Sequence, residues 1–146
     1  MTNVRNIAPG DEAAWRRMWA AYCAYYKVSL TETVTAATWR RIHDPVSPIA
    51  GLVAERDGAL VGLANYVVHP NTWSAGDVCY LEDLFVDPGA RGTGAGRALI
   101  DRLVAMAREH GWARVYWHTE TENSTARRLY DRYRPADPFV RYTITL

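Results

Sequence analysis

Apolar positions along the chain follow two periods, one typical of strands and one typical of helices. Short apolar or alternating runs predict six strands: Val4–Ile7, Leu52–Arg56, Leu60–Val68, Val78–Val86, Val115–Trp117 and Phe139–Leu146. Spacings of three and four predict helices over Asp11–Tyr26 and Thr33–Ile42, between Gly96 and Gly111, and from Asn123 to about Tyr133. The predicted order is therefore β-α-α-β-β-β-α-β-α-β.

The connections between these elements predict how the sheet is assembled. Asp57-Gly58 between two apolar runs is a strong signal for a β-hairpin. The Val78–Val86 strand, the helix that stops at Gly111 and the Val115–Trp117 strand form a βαβ unit. We therefore expect an α+β (mixed α/β) fold, with a mixed central sheet and helices on both of its faces.

Composition narrows the classes of function. The 146 residues fit a single domain over residues 1–146. A net charge of +1 argues against nucleic acid as a partner. No apolar run approaches the roughly 20 residues of a membrane span, and the first residues lack the apolar stretch of a signal peptide. Two cysteines, Cys23 and Cys79, are too few for a disulfide framework, so we expect reduced thiols in a cytoplasmic protein with no membrane partner.

Four aromatic residues share one face of the first predicted helix. Trp15, Trp19, Tyr22 and Tyr26 recur at spacings of four, three and four residues. A stripe of this kind usually packs into a core, but aromatic side chains also line substrate pockets. The spacing is compatible with both interpretations.

The segment from Arg91 to Gly96 is the most informative part of the chain. Its three glycines, Gly92, Gly94 and Gly96, lie between a strand and a helix. Backbone N–H groups at this position lack helical partners, and the helix dipole favours negative charge, so the loop predicts an anion site. Glycine lets a phosphate approach the backbone, and Arg91 and Arg97 add positive charge on either side.

Two common phosphate-binding motifs do not fit this loop. A P-loop has Gly-Lys-Ser/Thr after its first glycine, and no such sequence follows here. In a dinucleotide-binding fingerprint the third glycine would fall at Arg97. The preceding strand also carries Glu82 and Asp83 in its middle, where a strand buried on both faces would be apolar.

Three segments resemble the GCN5-related N-acetyltransferase (GNAT) family. Arg91-x-x-Gly94-x-Gly96 is similar to the family's acetyl-CoA loop, and Tyr80–Val86 is similar to its fourth strand. Asn123–Tyr130 resembles the later motif, in which an Asn opens a helix and a Tyr follows seven residues on. Leu-Glu-Asp-Leu-Phe-Val is closest to the polyamine (diamine) branch and to related small-amine and D-amino-acid acetyltransferases. The resemblance implies the GNAT fold, acetyl-CoA as cosubstrate and a primary amine of a small molecule as acceptor.

The resemblance also implies roles for individual residues. Glu82 would be the general base, acting directly or through water, and Tyr130 the acid that protonates the leaving thiolate. Acceptor binding would involve Asp83, Tyr26 and Trp73. The residues expected to hold the cosubstrate are Leu84, Phe85 and Val86 along the pantetheine arm with Asn123 and Tyr130, and Arg91, Gly92, Thr93, Gly94, Ala95, Gly96 and Arg97 around the pyrophosphate.

Each of these roles has a structural alternative. A carboxylate in an apolar strand is costly to bury, so Glu82 is either functional or paired with an arginine. Asp83 faces away from Glu82 in a regular strand, unless a bulge re-aims it. Tyr130 could pack in a core, and Asn123 could simply cap its helix. His118 is an alternative base, and the four histidines lack metal-ligand spacing, so no metal is expected.

Three functions compete at this point. The first is an acetyl-CoA-dependent N-acetyltransferase that acts on a polyamine, an amino acid or another small amine by direct attack on the thioester. The others are a protein-lysine acetyltransferase and a non-catalytic acyl-CoA sensor. The pairing of Glu82 with Tyr130 favours an enzyme. One departure from the family pattern is Tyr133–Pro138, which leaves room for only one further strand and leaves the C-terminal layout and strand exchange in a homodimer open.

Overall fold

Five strands form one mixed sheet in the order β1-β2-β3-β4-β5 in the computed structural model, which describes residues 1–146. The strands are β1 (Thr2–Asn6), β2 (Ile49–Arg56), β3 (Ala59–His69), β4 (Val78–Val86) and β5 (Val115–Tyr116). The helices are α1 (Glu12–Tyr25), α2 (Glu32–Ile42), α3 (Ala95–His110) and α4 (Ser124–Tyr130). Strands β1 to β4 are antiparallel, and β5 lies parallel to β4. The predicted α+β architecture is confirmed.

Local sequence signals account for the main boundaries. Asp57 and Gly58 both have positive φ, 51° and 77°, which is the conformation of the tight hairpin turn predicted between β2 and β3. Thr31 caps α2 by accepting a hydrogen bond from the Val34 N–H. Gly111, with φ 73°, ends α3 in the left-handed conformation. None of the helices combines the length and apolar content needed to cross a bilayer.

Two apolar clusters lie on opposite faces of the sheet. On one face α3 places Leu99 and Leu103 against Leu52 and Leu81 of the strands. On the other face α1 and α2 enclose a second cluster, composed of Trp15, Met18, Trp19, Ile42, Leu63 and Phe85. Helices therefore cover both faces, as expected, and β4 supplies residues to both clusters.

Strand β4 has an open edge on the side of β5. Only Cys79 and Tyr80 pair with β5, at Val115 and Tyr116, whereas β4 continues to Val86. From Leu81 onward β4 therefore has no strand neighbour on that side. Backbone groups along such an edge are available to a ligand that pairs as an added strand.

The strand predicted over Phe139–Leu146 does not form, and that prediction is wrong. The backbone of residues 135–146 makes no hydrogen bond within the protein. Tyr142 and Ile144 are 92% and 88% exposed. Alternating apolar residues favour the extended conformation, but a strand also requires a neighbouring strand with which to pair, and the sheet ends at β5.

Candidate active site

The glycine-rich loop before α3 presents unpaired backbone donors. Gly92 and Gly94 adopt φ values of 78° and 89°, and Gly94 is the N-cap residue of α3. The backbone N–H groups of Gly92, Gly94, Ala95, Gly96 and Arg97 donate to no acceptor within the protein. A Cβ atom at Gly92 or Gly94 would meet no protein atom within 4 Å, so space lies beside these donors. Donors of this kind at the N-terminus of a long helix suit an anion.

The remaining side chains of the loop are largely exposed. The Arg91 Nε donates to the Val86 carbonyl at 3.2 Å, which ties the loop to the end of β4. Arg97 is 3.6 Å from the Asp101 carboxylate. Gly96 has a different reason to be glycine, because its Cβ would lie 3.5 Å from Leu129 of α4 and 3.6 Å from Val86. It permits close packing of α3 on β4 and α4.

A β-bulge in β4 determines where the two carboxylates of this strand lie. Asp83 pairs with Asn65 and Leu81 pairs with Tyr66, so Glu82 has no partner residue in β3. The extra residue shifts the alternation of side chains. Leu81 and Leu84 therefore both pack toward α3, while Phe85 packs toward α1 and α2. The bulge places Glu82 at the sheet edge and re-aims the residues that follow it.

A cleft lies beside the bulge, between α1, β4, α4 and the segment after β5. Its lining residues are Tyr22, Tyr26, Leu81, Glu82, Leu84, Trp117, His118 and Tyr130. The structure therefore brings together the two predicted catalytic residues, Glu82 and Tyr130. The Glu82 side chain is exposed, and the ion pairs of the protein do not include it. The alternative in which Glu82 pairs with an arginine is therefore wrong, and the bulge turns the side chain outward.

Asp83, rather than Glu82, is the partly buried carboxyl group of β4. Burial raises its pKa to about 6, and hydrogen bonds from Asn65 and Tyr22 act in the opposite direction. The Asn65 Nδ2 lies 3.1 Å from Asp83 Oδ2. Asp83 forms no ion pair with a basic residue of the chain. A partly buried carboxylate without a countercharge suits a ligand that brings a positive charge.

Tyr130 is held between α4 and the sheet. Its ring packs edge-on against Trp117, with ring centroids 5.5 Å apart. Burial raises its pKa to about 12, so the hydroxyl keeps its proton throughout the neutral range. Asn123 caps α4, since its Oδ1 accepts from the Ala126 N–H at 3.3 Å. The capping alternative for Asn123 is therefore realised in the structure.

Of the other predicted site residues, some line the cleft and some do not. Tyr26 lines the cleft, but the Trp73 side chain is 83% exposed on the β3–β4 loop and is not part of the cleft wall. His118 lines the cleft, and its Nδ1 lies 3.1 Å from the Tyr80 hydroxyl. No group of His, Cys, Asp and Glu side chains is arranged to hold a metal ion.

Several residues of the site did not follow from the sequence. Leu81 and Trp117 line the cleft and Asn65 binds Asp83 beneath it, whereas Tyr22 belongs to the aromatic face for which a pocket wall was one of the two interpretations. For Asn65 a signal existed, because an amide within the apolar run from Leu60 to Val68 requires a hydrogen-bond partner if it is buried. For Leu81 and Trp117 the apolar side chains gave no sign that they face a cleft rather than a core.

Comparison with known proteins identifies the class to which this site belongs. Residues 15–134 match the Acetyltransferase (GNAT) family, and the chain belongs to this family. It is an acetyltransferase enzyme, and the resemblance of its loop and helix motifs to GNAT proteins is confirmed.

Individual relatives act on different acceptors. The D-amino-acid N-acetyltransferase HPA3 of Saccharomyces cerevisiae is 35% identical, over 88% of this chain and 81% of its own length. The mycothiol acetyltransferase of Cellulomonas flavigena is also 35% identical over 88% of this chain, which spans only 39% of that protein. The aminoglycoside acetyltransferase AAC(6')-Iy, solved with a bisubstrate analogue, has a TM-score of 0.84 over 100% of this chain and 99% of its own, at 18% identity. That likeness shows the fold, and AAC(6')-Iy has also been solved with CoA.

Proposed function

We propose that this enzyme transfers the acetyl group of acetyl-CoA to the primary amine of a small cationic molecule. The observation that carries the proposal is the set of five free backbone donors between Gly92 and Arg97, in the loop that follows β4, the strand whose bulge places Glu82 in the same cleft as Tyr130. The first feature suits a diphosphate, and the second offers groups that accept and donate protons.

The chain fits acetyl-CoA at two places. The loop donors lie beside Gly92 and Gly94, where the space that a Cβ would occupy is open, and so form a cradle for a diphosphate. The loop proposed to hold the diphosphate also includes Thr93, Ala95, Arg91 and Arg97. The open edge of β4 at Leu84, Phe85 and Val86 suits the amide groups of a pantetheine arm, which Asn123 and Tyr130 would also contact. The cosubstrate supplies an acetyl group activated as a thioester.

In this proposal, side chains of the cleft remove a proton from the reacting amine and supply a proton to the leaving sulfur. An alkylamine has a pKa near 10.4 and is almost fully charged at pH 7, so a proton must leave before the nitrogen can attack. Glu82, exposed in the cleft and free of ion pairs, accepts that proton directly or through water. Tyr130 holds a proton on its hydroxyl and donates it to the leaving sulfur. His118 is the alternative base.

Charge in and beneath the cleft favours a cationic acceptor. Glu82 lies in its wall and Asp83 beneath it, whereas no Lys or Arg is among the lining residues. The rings of Tyr22, Tyr26 and Trp117 suit an ammonium group through cation–π contacts. A diamine, a polyamine or an aminoglycoside-like amine fits this negatively charged cleft better than an amino acid does. The carboxylate of an amino acid would be repelled by Glu82 and Asp83. Trp73, from its exposed loop, would contact a longer acceptor.

A panel of acceptors tests the proposal. Release of the CoA thiol is measured with acetyl-CoA and a diamine, a polyamine, an aminoglycoside, D- and L-amino acids and a lysine-containing peptide. We expect the highest kcat/KM with a multiply charged small amine. Turnover confined to the peptide would assign a protein-lysine acetyltransferase. Tight CoA binding without turnover on any amine would assign a sensor and overturn the proposal.

Gly94→Val tests the diphosphate cradle. Valine at φ 89° is strained, and its branched side chain would stand beside the free N–H groups, so we expect acetyl-CoA affinity to fall by at least about tenfold. The matched control is Gly58→Val, which has φ 77° and equally open surroundings but lies in the β2–β3 turn. Titration calorimetry should show normal CoA affinity for the control. Equal CoA affinities in the two variants would show that the loop before α3 does not bind CoA.

We also propose a homodimer that acts in the cytoplasm. Phe139, Val140, Tyr142, Ile144 and Leu146 are 75–114% exposed, and contiguous apolar surface of this kind commonly marks an interface. Strand β5 is an edge strand of only two residues, so its outer edge suits an added strand from a second copy. The thiols of Cys23 and Cys79 are unpaired, which supports a reducing compartment.

Substitutions at alternate positions of residues 139–146 test whether this segment forms the dimer interface. We expect the Tyr142→Ser/Ile144→Ser double variant to become monomeric in light scattering at concentrations where the unaltered protein is dimeric, because it removes two large apolar contacts. The matched control, Arg141→Ser/Thr143→Ser, changes side chains of the opposite strand face and should remain dimeric. A monomeric unaltered protein would contradict the proposal.

A further inference from the structure

The single polar residue in the buried core lies beneath the cleft. Asn65 of β3 is 3% exposed and is the only polar or charged side chain among the buried residues. Its Oδ1 accepts from the Trp15 Nε1–H at 3.3 Å, and its Nδ2 donates to Asp83 Oδ2 at 3.1 Å. The three side chains form one continuous chain of hydrogen bonds from the core under α1 to the Asp83 carboxyl group.

Trp15 determines which way the Asn65 amide faces. An indole N–H can only donate, so the amide oxygen must face Trp15 and the amide nitrogen must face Asp83. A reversed amide would set two donors against each other at Trp15 and would leave an acceptor facing the carboxylate. Trp15 is fully buried and its ring packs at 5.6 Å from Trp19 and 5.2 Å from Trp39, so the donor cannot easily turn away.

We infer that Asn65, oriented by Trp15, is a positioning residue that keeps the Asp83 carboxylate charged and aimed at the ammonium group of the acceptor. The inference rests on the proposed function for its consequence, since it assigns Asp83 to the cation. An amide N–H stabilises an ionised carboxylate more strongly than a protonated one, and the O–H of the protonated form would find an acceptor at Asn65 only if the amide reversed. Because Trp15 opposes that reversal, Asn65 favours the charged form of Asp83 over the protonated form.

Other groups around Asp83 are weaker partners or oppose its charge. From α1, Tyr22 donates to the carboxyl group, while Cys23 and Tyr26 lie near it. From β4, Tyr80 lies near it, and Glu82 repels its negative charge. No basic side chain compensates its burial. Asn65 is therefore one of the main groups of the protein that favour the ionised form of Asp83.

The test measures the titration of Asp83 directly, in the full-length protein without substrates. Aspartate labelled with 13C at the carboxyl carbon is followed by NMR from pH 4 to 9, and Asp83→Asn assigns the signal. The midpoint of Asp83 should lie near pH 6. In Asn65→Leu we expect it to rise by about one unit, because a hydrogen bond to a charged group is lost. Trp15→Phe, which frees the amide to reverse, should raise it in the same direction.

Ile42→Val is the matched control, because it perturbs the same apolar cluster without touching the hydrogen bonds. Its Asp83 midpoint should equal that of the unaltered protein. In turnover assays Asn65→Leu should raise KM for the amine about twofold at pH 7 and about fivefold at pH 6, because these are the factors by which the ionised fraction of Asp83 falls, and should leave KM for acetyl-CoA unchanged. An unshifted midpoint in both Asn65→Leu and Trp15→Phe would overturn the inference, whatever the enzyme acetylates. A shifted midpoint with unchanged KM for every amine would instead remove Asp83 from acceptor binding, and with it the functional part of the inference.

Discussion

Replacing Glu82 with glutamine should lower kcat at pH 7 by about 10²- to 10⁴-fold, the range that a general base contributes. Glutamine keeps the size of the side chain at the β4 bulge and removes only its ability to accept a proton. Because Glu82 is exposed and makes no ion pair, the substitution should leave the free energy of unfolding almost unchanged. Affinity for acetyl-CoA should also remain, since the loop donors lie at the N-terminus of α3.

The pH dependence of Glu82→Gln distinguishes proton removal from other roles. Between pH 7 and pH 9 the neutral fraction of an amine with pKa near 10.4 rises about a hundredfold, so the deficit of the variant should shrink steadily. A role in binding the acceptor would give a deficit in KM that persists at high pH. The control is Glu122→Gln, an exposed carboxylate outside the cleft wall. Unchanged kcat in Glu82→Gln, with a loss in His118→Gln, would transfer the role of base to His118.

The aromatic stripe of α1 illustrates how far periodicity leads. Spacing alone placed Trp15, Trp19, Tyr22 and Tyr26 on one helix face, and the structure confirms it. The first two are buried, whereas the last two line the cleft. A helix face can pass from core to pocket along its length, because the sheet beneath it opens where β5 stops pairing with β4. That opening depends on partners distant in sequence, so the period of α1 carries no information about it.

The two carboxylates of β4 show a different reason for error. In a regular strand Glu82 would point in the same direction as Leu84 and Val86, and its burial would follow from theirs. The bulge at Glu82 breaks this alternation, and it arises from the register between β4 and β3. Register is a property of two strands together, which a single run of residues does not specify. The C-terminal segment fails similarly, since its alternation is that of a strand but no partner strand adjoins it.

Replacing Tyr130 with phenylalanine should lower kcat by about 10²-fold and leave acetyl-CoA affinity within about twofold. The ring would keep its edge-on contact with Trp117, so packing is preserved and only the proton donor is lost. With a pKa of about 12, the hydroxyl stays protonated up to at least pH 10. We therefore expect no decline in the activity of the unaltered enzyme between pH 7 and pH 10 from deprotonation of this group.

A second tyrosine near the end of α4 supplies the control for loss of a hydroxyl group. Tyr133 also packs edge-on against Trp117, at 6.1 Å, but its hydroxyl donates to the Asp101 carboxylate at 2.7 Å. Tyr133→Phe should lower the free energy of unfolding by about 1 kcal/mol and leave kcat unchanged. A kcat equal to that of the unaltered enzyme in both variants would show that solvent protonates the leaving sulfur. A fall in both would indicate that the position of α4, rather than the Tyr130 proton, limits turnover.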